Sequence, residues 1–167
     1  MSLTRRAILP VLFAVTASAL GTAAQAQSQR GQPRTPFAPA DFAKLRWLEG
    51  TWRGSTPGRD PFYERYHFLN DSTAQITYFS DSSLTHQTGE GRVYLTVGRI
   101  YHTFGPGRWG ATHVDSTGIF FIPQVNAHNT FAWRQNSPDQ WTATLRTGLS
   151  GHARVTVYTM TRVGPKP

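Results

Sequence analysis

From Gly50 onward, no apolar stretch of this chain keeps a helical period over a useful length. Runs rich in Tyr, Phe, Trp, Val and Thr alternate instead with turn clusters, spaced about every 8–12 residues. This pattern constrains the fold more than any other feature. It predicts strands at Thr51–Ser55, Phe62–Leu69, Thr73–Ser80, Leu84–Thr88, Arg92–Thr96, Arg99–Phe104, Trp109–Asp115, Ile119–Ile122, Thr130–Arg134, Trp141–Arg146 and Arg154–Arg162. The intervening "LND", "GEG", "VGR", "GPG", "DSTG", "NSPD" and "GLSG" read as turns. With no helix between them, these short strands make an all-β chain. About ten of them in order predict a single closed antiparallel up-and-down β-barrel, because closure removes the exposed strand edges that invite aggregation.

One hairpin sets its own faces. "RVYLTVGRIYHTF" can turn at Val97-Gly98 or at Gly98-Arg99. In either register Val93, Leu95, Ile100, His102 and Phe104 share one face, the more apolar one, and should point inward. Period-two alternation puts Trp109, Ala111 and His113 inward on the next strand. It does the same for Phe131 and Trp133, and for Trp141, Ala143 and Leu145. In "FYERYHFL" the set Phe62, Glu64, Tyr66, Phe68 opposes Tyr63, Arg65, His67, Leu69, and neither is clearly the core.

The segment before the strands is different. Asp41 is placed to cap a short helix with Phe42, Leu45 and Leu48 on one face, ended by Gly50. Further upstream, Arg5 and Arg6 precede a largely apolar Ile8–Leu20 and the small-residue "AQA" of 24–26. That order reads as a cleavable secretory signal over 1–26, too short and wrongly flanked for a stable membrane span. "TRRAIL" resembles a twin-arginine export signal. A polar leader over 27–38, a barrel over 39–164 and a tail at 165–167 complete the expected organisation. The expected location is periplasmic or secreted. The absence of cysteine means that the barrel does not rely on disulfides.

Loss of the signal lowers the formal charge from +8 to about +6. The arginines are scattered singly, lysine is almost absent, and there is no basic run, which argues against nucleic acid as a partner. Weak contact with anionic surfaces fits this balance. Nothing beyond the signal is apolar enough to span a bilayer as a helix, and the expected state is a monomer or homodimer.

The stretch "LRWLEGTWRG" carries a resemblance. Gly50-Thr51-Trp52 after a short helix resembles the G-x-W signature of the calycin superfamily, which includes lipocalins and nitrobindin-like proteins. The longer L-x-W-L-x-G-x-W-x-G is similar to bacterial lipocalin-like domains of unknown function, as are "FYERY" (62–66) and the closing "YTMTRV" (158–163). The resemblance implies that Trp52 packs across the closed end of the barrel beneath an arginine of the last strand, Arg162. Trp47, Gly50, Trp52 and Arg162 are then a structural plug.

A barrel of this size encloses room for one small ligand. The leading expectation is a small, largely apolar or amphipathic ligand held in the interior. The candidate lining is Trp109, Phe131, Trp133 and Trp141, with Glu64, Tyr66, His102 and His113 as orienting polar groups. His102 and His113, on strands joined only by "GPGR", are expected to project together into the cavity and, with Glu64 or Tyr66 opposite, to orient a ligand's polar head. One alternative is a filled barrel acting as an interaction or envelope accessory protein. Another is an isomerase- or cyclase-type enzyme using a Glu/His pair, although there is no cysteine and no G-x-S-x-G. No catalytic residue is assigned. The nitrobindin resemblance raises haem, for which His152 is the nearest axial ligand, at a spacing from Arg162 that departs from the pattern. No cofactor is therefore expected. No histidine pair has H-x-H or H-x-x-x-H spacing, so a metal site would need residues from separate strands, such as His102 and His113. No metal is expected either.

Overall fold

A computed structural model describes residues 35–148 and 153–164. The expected signal segment, most of the expected leader, His152 and the expected tail lie outside the described residues. The described residues form α1 (Pro39–Ala43), a 3₁₀ turn (Lys44–Leu48) and ten strands: β1 (Gly50–Ser55), β2 (Phe62–Asn70), β3 (Thr73–Phe79), β4 (Gln87–Thr96), β5 (Arg99–Phe104), β6 (Gly107–Val114), β7 (Gly118–Val125), β8 (Asn129–Ser137), β9 (Gln140–Thr147) and β10 (Arg154–Val163). Each strand pairs antiparallel with the next, and β10 returns to pair with β1, which closes the barrel. The all-β, up-and-down architecture with a short helix in front is the one expected.

The helix begins one turn earlier than its expected cap. Pro39, with no N–H to leave unsatisfied, occupies the first turn, and Asp41 reaches back from the third helical position to the Ala38 N–H (2.9 Å). Asp41 also binds Lys44 (2.7 Å), and these two bonds hold its carboxyl below the usual range. Phe42, Leu45 and Leu48 are fully buried, as their spacing requires. Phe37, at the end of the expected leader, donates its N–H to the Gly98 carbonyl (2.9 Å) and packs on the core.

Two departures from simple alternation matter for the site. The expected turn at "GEG" is uninterrupted strand: β4 runs from Gln87 through Gly89 and Gly91, while Leu84 falls in the preceding loop at φ 56°. The glycines serve close approach. A Cβ on Gly91 would lie 2.6 Å from the Thr103 carbonyl and 3.1 Å from the Tyr78 hydroxyl, and one on Gly89 would lie 3.1 Å from the Phe104 ring. The second departure is in β6. Ala111 pairs with Phe121 but His113 pairs with Phe120, so one extra residue is inserted between them. That bulge reverses the alternation, turning His113 outward and Val114 inward.

Candidate ligand-binding site

The closed end is built around Trp52. Its indole N–H donates to the Leu48 carbonyl (2.7 Å), and Arg162, its cross-strand partner, lies over the ring at 4.1 Å from the centroid. The guanidinium also donates to the carbonyls of Glu49 (2.8 Å), Trp47 (3.3 Å) and Pro138 (3.1 Å), and to Asp139 (3.1 Å). One planar, always-charged fork thereby satisfies the carbonyls where the 3₁₀ turn enters β1. Gly50 makes that entry at φ 115°.

From this plug a column of rings rises through the barrel. Trp47 and Trp52 meet Trp141 edge-on at 5.9 and 6.0 Å, and Trp141 meets Tyr66 and Trp133 at 6.0 and 5.7 Å. Above that level the interior is not filled. A cavity of about 480 Å³ opens at the end opposite Trp52, which lies within the ordinary range for small-molecule sites. Its walls include Trp109, Phe131, Trp133, Trp141, Tyr158 and Met160, with Phe62, Phe104 and the exposed Arg59 and Asp60 also in the lining. The Trp109 N–H is fixed by the Asn129 carbonyl (2.9 Å), which holds that indole as wall.

A carboxylate and an imidazole reach this apolar space from the inner wall. Glu64 lies between Trp52 of β1 and Tyr78 of β3 in the strand register, so the undecided β2 face resolves with Phe62, Glu64, Tyr66 and Phe68 inward. Its Oε2 accepts the Tyr66 hydroxyl (2.7 Å), while Oε1 has no partner among the described residues. Burial pushes the Glu64 carboxyl up to about 7, and the Tyr66 bond opposes this only in part. Burial first, and then the Glu64 charge, push the Tyr66 and Tyr78 hydroxyls upward, so both remain protonated donors at neutral pH.

His102 is the second group. It sits 5.3–5.9 Å from the rings of Trp109, Phe121, Phe131 and Trp133, and neither ring nitrogen has a partner among the described residues. Burial pulls it down to about 3, so the imidazole is neutral at pH 7, one nitrogen a donor and the other an acceptor.

Glu64, His102, Trp109, Phe131, Trp133 and Trp141 therefore line the cavity. Two other candidates stand elsewhere. Tyr66 is only 1% exposed and supports Glu64 from behind rather than forming wall. His113 is outside the barrel, its side chain 65% exposed and bonded to Asp115 (3.2 Å), because the β6 bulge turned it away. His102 and His113 thus share neither a ligand head nor a metal ion. The carboxylate–imidazole pair of the enzyme expectation is not formed either, since Glu64 bonds Tyr66 and His102 bonds no protein group. Among the described residues, no three His, Asp or Glu side chains cluster as a metal site would require. Sequence reasoning missed Tyr78, Tyr158 and Met160. The last two were within reach, since 158, 160 and 162 alternate onto the face of Arg162.

No family model and no curated protein matches the chain. Among solved structures it is similar to a redesigned beta barrel, at 12% identity over 72% of this chain and 96% of that one, with a TM-score of 0.39. It is also similar to EF1p2_mFAP2b bound to DFHBI, at 13% identity over 73% and 98%, with a TM-score of 0.36.

Proposed function

We propose that this chain is an exported barrel of the calycin type that binds one small, largely apolar molecule in its upper interior. A single observation carries the reading: the barrel is solidly packed around Trp52 and left open, over about 480 Å³, at the other end. A scaffold that only had to stand could fill that space with side chains, as its lower half does. The "AQA" of 24–26 and the preceding apolar run support export. The test is a titration of the purified barrel with the uncharged dye Nile red, paired with native mass spectrometry of protein taken from its own host. Saturable one-to-one dye binding, or a retained small molecule of defined mass, is expected. Protein that shows neither would leave a barrel that acts through its surface, as an interaction or envelope accessory protein, as the better reading.

A further inference from the structure

We infer that the cavity is built for a compact aromatic or cyclic amine bound as its cation, with an ammonium N–H on the unpartnered oxygen of Glu64 and the apolar body among the surrounding Trp and Phe rings. This rests on the proposal that the cavity holds a ligand, and it names the chemistry of that ligand.

The charges in the lining set the polarity. Glu64 is the one ionisable acid of the inner wall; the other charged lining residues, Arg59 and Asp60, are of opposite sign and exposed in the β1–β2 loop. Among the described residues, no cationic side chain neutralises Glu64 from within. Arg162, the inward arginine of β10, is committed to Trp52 and the plug carbonyls. One carboxylate oxygen is tied to Tyr66 and the other is free to accept. The titratable groups facing it are Tyr66 on its own strand, Tyr78 from β3, His102 from β5 and Tyr158 from β10, while β1 presents Trp52. None carries a positive charge at neutral pH. A bound cation would supply the missing counter-charge, and aromatic faces favour cations over anions through their negative quadrupole. The neutral imidazole of His102 adds one donor and one acceptor for a further polar atom of the ligand. Above about pH 7 a carboxylate ligand meets the opposite situation, with like charge at Glu64 and no protonated histidine to receive it.

The test compares three probes of one shape by calorimetry: 1-naphthylmethylamine, 1-naphthylmethanol and 1-naphthoate. The amine is expected to bind about tenfold or more tightly than the alcohol, the usual worth of a charge-assisted hydrogen bond, and the naphthoate more weakly than either. The amine's advantage should grow between about pH 5.5 and about pH 8, over which the amine stays charged while Glu64 loses its proton. Glu64→Gln should abolish the amine's advantage over the alcohol, and an unchanged circular dichroism spectrum and urea melt show that the variant is folded. Equal affinities of amine and alcohol in the wild type, or tighter naphthoate, overturn the charge assignment and leave the binding reading intact. Failure of the alcohol and the amine alike overturns both.

Discussion

At the scale of single residues, two inward groups set opposite pH dependences. Glu64 has a folded pKa of about 7 against an ordinary value of 4.5. Between those values the folded state holds a proton that the unfolded state has released, so stability falls as pH rises. His102 has a folded pKa of about 3 against 6.5. Between those values the unfolded state holds the extra proton, so stability rises with pH. The two slopes overlap from pH 4.5 to 6.5 and cancel there. Relative to wild type, Glu64→Gln should show stability climbing with pH across that window by roughly 2–3 kcal/mol. His102→Phe should show it falling by a similar amount. Urea melts at a series of pH values read both, and parallel curves for all three proteins would show that neither group is buried in its charged-state-excluding position. Arg162 is the other decisive residue. Arg162→Ala strips four carbonyl or carboxylate partners and uncovers Trp52, and should cost about 3–5 kcal/mol. Arg162→Lys keeps the charge without the fork and should cost less, about 1–2 kcal/mol in the same melts.

At the scale of elements, the β4–β5 hairpin shows what was legible and why. A two-residue loop fixes register, so the inward set of Val93, Leu95, Ile100 and His102 followed from the sequence, and the structure selects the Val97-Gly98 turn through the Thr96–Arg99 pair. Both loop residues have positive φ, 45° and 68°, the type I′ geometry that matches strand twist. Valine is a poor occupant of that region, and Val97 is 95% exposed, with nothing to offset the cost. Val97→Asn should therefore raise stability by about 0.5–1 kcal/mol, read as a higher urea midpoint at unchanged slope. The "GEG" of β4 was illegible for the opposite reason. Glycine marks both turns and close approaches, and only the pairing of β4 with Thr103 and Tyr78 distinguishes them. Gly91→Ala should cost about 1–3 kcal/mol, because its methyl would meet a backbone carbonyl that cannot step aside. His113 escaped sequence reasoning because a one-residue bulge leaves no mark in an alternating pattern. The inward face of β2 stayed open because an inward glutamate interrupts the apolar run that would have declared it.

At the scale of the whole molecule, the barrel divides its interior by purpose. The half around Trp52 buries Phe42, Leu45, Leu48, Trp52 and Trp141 to 1% exposure or less. It supplies the packing that closes β10 onto β1. The other half keeps open volume, a glutamate bonded through one oxygen and a histidine without a partner among the described residues, each of which lowers stability relative to a filled apolar core. If that division is functional, filling the open half should remove binding without harming the fold. Ala143 is suited to the test. It lines the cavity at the centre of β9, between Trp133 and Tyr158 in the strand register. Ala143→Phe projects a ring into the open volume and should weaken 1-naphthylmethanol binding by about tenfold or more. Its stability to urea should equal or exceed that of wild type, since the added side chain buries apolar surface in existing space. A loss of about 2 kcal/mol or more would instead mark an overpacked interior with no room to give, and would make the cavity a gap in side-chain packing rather than a site.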